Sequence, residues 1–332
     1  MFTPQTFTAA LIMTIISTIC WGSWANTYKG VKNYRFELFY WDYAIGIFVI
    51  SLILGYTMGS TGGPFSLVNN IHSADTSNII YALVAGAVFN LANLLLVAGI
   101  DMAGLAVAFP VGIGIALVVG VVLTYLRDPK GNALMLGIGV LCAIVAVIFD
   151  GKAYRQLSAT GGSSGSAAST GASRKSIIVC VISGILMGLW APLSANAMRH
   201  GNPLGPYALA VFFTFGALLS CFLWNIYLMR KPLVGEPISF AGFFKAPFSA
   251  HALGLLGGAI WGVGTVFNLV AGNSIGLAIS YAIGQSAPMV AALWGVFVWH
   301  EFRGANKKSQ AYLGLMFMFY ILAILIISRA SG

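Results

Sequence analysis

Apolar runs about as long as a bilayer is thick alternate with short polar connections along the whole chain, from TFTAALIMTIISTICWGSWA near the N-terminus to YLGLMFMFYILAILIIS near the C-terminus. Crossing about 30 Å of hydrocarbon as a helix takes roughly 20 such residues, and a helix satisfies its own backbone groups where water is absent. The pattern predicts ten spans, over 7–26, 38–58, 78–99, 102–126, 133–150, 176–198, 205–229, 251–272, 275–299 and 309–328. Spans 3 and 4 meet at Ile100-Asp101-Met102 and spans 8 and 9 at Asn273-Ser274, so each pair must be antiparallel neighbours. The tract QLSATGGSSGSAASTGAS, Gln156 to Ser173, has nothing to bury and reads as a mobile linker. Between spans 7 and 8, ISFAGFFKAPF is too short to cross but rich enough in Phe for a helix lying among headgroups, with an irregular loop as the alternative.

The chain repeats itself. A shift of 172 positions lays Gly86-Ala87-Val88-Phe89 on Gly258-Ala259-Ile260-Trp261 and Gly104-Leu105-Ala106 on Gly276-Leu277-Ala278. A second match lays Gly22-Ser23-Trp24-Ala25 on Gly188-Leu189-Trp190-Ala191. Two copies of a five-span unit follow: residues 1–151 and 176–332, with 152–175 as a flexible cytoplasmic linker. An odd number of crossings forces the second copy to enter from the opposite side. The expected fold class is therefore an all-α integral membrane protein of ten transmembrane helices, built as two inverted five-helix repeats. Secondary transporters use this plan, with one half moving against the other around a site near the midplane.

Composition agrees with the bilayer. Of 332 residues 59% are hydrophobic and 8% charged, against about 25% charged in soluble domains. The net charge of +9 does not point to nucleic acid, because the basic residues are spread between apolar runs. Their placement reports topology. Only Arg127, Lys130, Arg199 and Arg329 fall outside the odd-numbered connections, which puts those connections in the cytoplasm and both termini outside, in the cell (inner, cytoplasmic) membrane. The first apolar run has no basic residue before it and is expected to stay as a span. Cys20, Cys142, Cys180 and Cys221 lie one per span without metal-ligand spacing, and no cofactor or metal is called for.

Polar residues inside spans are the candidate chemistry. Asn90 and Asn93 share one face of span 3, Trp261, Thr265 and Asn268 one face of span 8, and Tyr281 and Gln285 one face of span 9. The 172 register superposes Asn93 on Thr265, Phe109 on Tyr281 and Ile113 on Gln285. Uncharged amides and hydroxyls beside Trp24, Trp190 and Tyr281 suit a small, neutral, flat or ring-shaped solute. The same groups also serve as bridges between helices, at about 0.6 kcal/mol each. Pro110 and Pro288 interrupt spans 4 and 9 and mark either gating or packing positions. Asp42 is the one acidic residue read as lying inside a span, a place where carboxylates serve ion or proton pathways. It also suits a helix start in the aromatic belt formed with Tyr40, Trp41 and Tyr43. A membrane enzyme would need paired carboxylates, a His cluster or a metal set at helical spacing, and the spans carry none.

The run GGAIWGVGTVFNLVAG through SAPMVAALWGVFVWHEFRG to the C-terminus resembles the closing segment of the ureide permeases, ten-span members of the drug/metabolite transporter (DMT, EamA-like) superfamily. WDYAIG in span 2 and FNLANLLLVAGIDMAGLAV across spans 3 and 4 resemble the same group. The resemblance implies proton-coupled import of allantoin, uracil or a related ring by alternating access, with Asp42 as proton site and Asn93 as a solute contact. Thr265 stands where relatives usually show Asn, and IWGVG and CWGS are also similar to bacterial glucose and rhamnose permeases of that superfamily. A monosaccharide is thus the alternative cargo, and a DMT-type exporter the alternative activity. The implied partners are a small-molecule solute, protons and the lipid bilayer, with homodimerisation open to the chain and no nucleic acid.

Overall fold

The computed structural model describes residues 1–61, 66–159 and 173–330. Ten helices in it are long and apolar enough to cross a membrane: α1 (Phe7–Lys29), α2 (Phe36–Ser60), α3 (Thr76–Ala103), α4 (Ala106–Arg127), α5 (Ala133–Ala159), α6 (Arg174–Ala197), α7 (Pro206–Arg230), α8 (Phe248–Ile275), α9 (Leu277–Phe297) and α10 (Lys307–Arg329). The described residues contain no strand. Side chains such as Ile53, Leu141, Phe222 and Leu325 are exposed along the outer helix surfaces, as the side facing acyl chains requires. Buried Ala, Gly and aromatic residues fill the interior, where small residues let helices approach closely.

The turns expected at 100–102 and 273–274 fall slightly later. The chain stays helical to Ala103 and Ile275 and reverses at Gly104 (φ 75°) and Gly276 (φ 99°). Residues with a Cβ rarely adopt that conformation, so the glycines and not the preceding polar residues set the turn. The two glycines are the pair equated by the 172 register.

Another boundary moves further. Helix α5 runs to Ala159 and α6 begins at Arg174, so 152–159 and 174–175, assigned from the sequence to the linker, are helical. Ala153 and Leu157 are buried, and the Tyr154 ring lies 5.3 Å from that of Phe302, which holds the last turns of α5 in place. Ser173 caps α6 by accepting from Ser176 N at 3.1 Å. The remainder of the Gly/Ser tract, 160–172, lies outside the described residues. In the expected headgroup segment the helix is one turn, Ala241–Phe244, with Phe244 and Phe248 strongly exposed.

The packing is preserved when the first five helices are exchanged for the last five. Helix α3 packs on α6 as α8 does on α1, α8 on α2 as α3 on α7, and α4 on α6 as α9 on α1, while α5 packs on α10 and α2 on α7. Glycines carry these contacts in matching pairs. A Cβ on Gly86 would overlap the Phe213 carbonyl of α7, and one on Gly258 the Tyr43 carbonyl of α2. Likewise Gly216 abuts the Leu83 carbonyl and Gly46 the Leu255 carbonyl, and Leu83 and Leu255 are again 172 apart.

Two helices lose regularity at equivalent places. Helix α4 contains a π turn at Phe109–Ile113 around Pro110, and α9 breaks at Gln285–Ser286, between Leu277–Gly284 and Ala287–Phe297. Pro288 has no N–H for the Gly284 carbonyl. The neighbouring Ile283 carbonyl accepts from Thr18 Oγ1 of α1 at 3.3 Å. Pro110 packs where Gly151 of α5 leaves room for its ring.

Candidate functional site

Aromatic rings from both halves meet where α1, α3, α6, α7, α8 and α9 converge. Trp261 of α8 stacks on Phe89 of α3 with centroids 4.4 Å apart and planes 27° apart, and on Trp21 of α1 at 6.0 Å and 17°. Trp190 of α6 stands edge-on to Trp21 at 6.1 Å and to Tyr281 of α9 at 5.5 Å. Phe213 of α7 closes the group, 5.4 Å from Trp190 and 5.5 Å from Phe89. Phe89 and Trp261 are equated by the 172 register, and they lie against each other.

Polar groups edge this aromatic centre. Trp21 Nε1 donates to Thr265 Oγ1 at 3.1 Å, and Tyr281 donates its hydroxyl to the Ala116 carbonyl of α4 at 3.0 Å. Trp24, at the break between Phe7–Ser23 and Ala25–Lys29, lies 4.6 Å from the Tyr43 ring, and Tyr43 lies 6.4 Å from Trp261. Asn93 donates to Tyr40 of α2 at 3.4 Å. The Tyr43, Ser17 and Ser286 hydroxyls and Asn90 Oδ1 are buried without a hydrogen-bond partner among the described residues. Such groups cost about 1–3 kcal/mol each when left unsatisfied, which favours any ligand that can pair with them.

The structure brings Trp190, Thr265 and Tyr281 directly into the aromatic group, with Trp24 one ring further out. Asn93 and Gln285 are 5% and 9% exposed and face inward, not toward acyl chains. Asn90 is committed to α7: Nδ2 donates to the Ala217 carbonyl at 3.1 Å and to Ser220 Oγ at 2.7 Å. Asn268 is committed to α9 through the Ser280 carbonyl at 2.9 Å and Ser280 Oγ at 3.3 Å. Pro110 and Pro288 sit at the two helix irregularities. Trp21, Phe89 and Phe213 escape a search for polar positions because in a membrane chain an aromatic residue carries no signal by itself. The repeat register does mark Phe89, by laying it on Trp261.

Asp42 lies apart from this centre, toward the face that carries the odd-numbered connections. It is buried, and its Oδ2 lies 2.8 Å from His251 Nδ1 of α8 and 3.3 Å from the Tyr34 hydroxyl that donates to it. It is not alone within a span. Asp150 is buried in α5, and its Oδ1 has no hydrogen-bond partner among the described residues. The apolar run of span 5 ends at this residue, but α5 continues for two further turns, which puts Asp150 inside the helix.

Ion pairs close both ends. On the face with the termini, Arg199 after α6 pairs with Asp128 after α4; on the opposite face, Lys29 at the end of α1 pairs with Glu301 after α9. The exchange of halves carries α4 to α9 and α6 to α1, so each pair occupies the other's place. Beside the Arg199 pair a cavity of about 270 Å³ is lined by Lys130, Asn273 and Leu277. A cavity of about 550 Å³ beside Lys29 is lined by Tyr28, Tyr34 and Arg35.

Residues 171–330 match the sequence profile of the ureide permease family. Ureide permease 1 of Arabidopsis thaliana is 23% identical over 347 residues, covering 88% of this chain and 89% of that protein. The chain resembles the ureide permeases. This ureide permease-like chain is a multi-pass membrane protein of the transporter class, and these relatives bear the names of permeases, not of enzymes. Transmembrane protein 144 homolog B of Dictyostelium discoideum is 26% identical over 46% of the chain and 40% of its own length. A Staphylococcus aureus protein described as probable glucose uptake protein GlcU is 29% identical over 22% of the chain and 25% of its own length. One crystal structure superposes over 97% of this chain and 98% of its own with a TM-score of 0.65 at 15% identity, a likeness of fold alone.

Proposed function

We propose that the chain is a proton-coupled importer of a small, neutral, ring-shaped solute of the ureide or nucleobase type, working by alternating access. The stack of Phe89 on Trp261, flanked by Trp21, Trp190 and Tyr281, carries the reading. Parallel aromatic planes suit a flat heterocycle, and the buried amides and hydroxyls around them suit its carbonyl and N–H edges. The names of the relatives point to the same solute class. The two halves, 1–151 and 176–332, are read as inverted repeats about an in-plane twofold axis, an assignment supported by the exchanged helix packing and paired glycines. The basic odd-numbered connections are placed in the cytoplasm and both termini outside the cell membrane, following the distribution of Lys and Arg. A homodimer remains the assembly we would test first. Monosaccharide import is the second reading, favoured by the stretch shared with the glucose uptake protein.

Uptake of labelled allantoin, uracil, glucose and rhamnose into proteoliposomes under an inside-alkaline gradient decides between the cargoes. Accumulation of glucose but neither heterocycle would overturn the ureide reading. Asn93→Ala is expected to raise KM about tenfold, the worth of roughly one hydrogen bond to solute, with the detergent-solubilised protein still folded. Unchanged kinetics would remove Asn93 from the site.

Alternating access assigns the two ion pairs to opposite gates. Arg199→Ala is expected to raise labelling of the terminal face by impermeant reagents, and Lys29→Ala to raise it on the opposite face. Equal effects of both variants on one face would contradict the gate assignment.

A further inference from the structure

Asp42 on α2 and His251 on α8 come from different halves, yet they share one hydrogen bond at 2.8 Å. Tyr34 donates to the same carboxylate oxygen at 3.3 Å, and Gly254, one turn after His251, leaves room for the Asp42 side chain. The Asp42 side chain is 6% exposed and that of His251 22%, and His251 lies in the first turn of α8 while Asp42 lies in the second turn of α2, so the imidazole is the nearer of the two to the basic face. Phe243, with its ring 4.6 Å from the imidazole, and Tyr34, at 6.0 Å, restrict the approach. Among the described residues, His251 and Tyr34 are the ionisable groups bonded to Asp42. At the start of α2, Arg35 and Glu37 are paired with each other. Toward α7, α2 presents the Trp41 and Phe48 rings to Phe222 and Phe215.

We infer that Asp42 and His251 form one proton-binding pair across the two halves, in which Asp42 holds the transported proton and His251 passes it to the basic face. This rests on the proton-coupled reading above and adds to it the residue that delivers the proton. A proton on Asp42 Oδ2 moves to His251 Nδ1, giving a carboxylate and an imidazolium. The imidazolium gives its Nε2 proton to water at the basic face, leaving a neutral ring that donates Nδ1–H to the carboxylate. One proton enters on Asp42 and one leaves from Nε2, and a water-mediated shift of the ring proton from Nδ1 back to Nε2 resets the pair for the next cycle. Because the pair ties α2 to α8, its protonation state also sets how firmly the halves are joined at this end, the bond to the carboxylate after release being the charge-assisted and stronger one.

Gln at 251 can keep the hydrogen bond to Asp42 but cannot relay a proton. In proteoliposomes with labelled allantoin, His251→Gln is expected to lower uptake driven by an inside-alkaline gradient by at least about tenfold, while allantoin counterflow at equal pH persists. Asp42→Asn should give the same split, and counterflow shows that both variants are folded. If counterflow is also lost in His251→Gln, the pH titration of the carboxyl infrared band in the unmodified protein replaces it. The inference requires a band that is absent in Asp42→Asn and shifted in His251→Gln. Full gradient-driven uptake by His251→Gln overturns the relay and leaves the symporter reading intact. Unmodified protein that ignores the gradient and shows no titrating carboxyl overturns both.

Discussion

A single methyl group added at Gly258 is expected to destabilise the folded protein by about 2–3 kcal/mol, the cost of overpacking a close helix contact. Its Cβ would overlap the Tyr43 carbonyl, with the Ile47 backbone nitrogen also within contact, and neither belongs to a side chain that can rotate away. Helices α8 and α2 would have to separate, and the aromatic group beside them would lose its fit. Gly86→Ala should cost a similar amount, because Gly86 meets the Phe213 carbonyl in the exchanged position. Gly137→Ala in α5 is the control: nothing lies within 4 Å of the added carbon, and removing a helical glycine should gain up to about 1 kcal/mol. Thermal unfolding in detergent measures all three. Equal behaviour of Gly258→Ala and Gly137→Ala would show that close backbone packing is not what holds the halves together.

Truncating Trp261 to Ala is expected to weaken solute binding by about 30-fold, corresponding to roughly 2 kcal/mol of lost stacking on a flat ring. Trp261 lies within 6.4 Å of the rings of Trp21, Phe89 and Phe213 in the central group and of Tyr43 beside it. The truncation also leaves a buried cavity, so binding has to be compared with Trp261→Phe, which keeps an aromatic face and most of the packing. Direct binding of labelled uracil to purified protein separates the effects. A Trp261→Ala variant that remains folded and binds as the parent does would remove the aromatic centre from the proposed solute path. Tyr281→Phe should act differently: it loses the bond to the Ala116 carbonyl and should lower stability by about 1 kcal/mol with little change in affinity.

The Asn residues show why a polar side chain in a span is an ambiguous signal. Asn90 and Asn93 have the same chemistry and lie on the same side of α3, yet the Asn90 amide nitrogen is spent on α7 while that of Asn93 touches Tyr40. Periodicity fixes which face of a helix a residue occupies and says nothing about what packs there. The same limit applies to Asp42: its burial was legible from its place in an apolar run, but its partner His251 is 209 positions away.

The amino-acid sequence by itself determined the helices, because run length against bilayer thickness leaves little choice, and it supplied the 172 register that equates Gly86 with Gly258 and Gly104 with Gly276. Gly104 and Gly276 also announced the two tight turns, although only backbone geometry shows that the chain reverses on them and not at the polar residues before them. The tertiary structure alone decided which rings meet at the centre, which amides are used up between helices, and which ionisable groups pair across the halves. Those outcomes depend on distances between residues far apart in the chain, and helix packing sets them through the few glycines at which two backbones can come into contact.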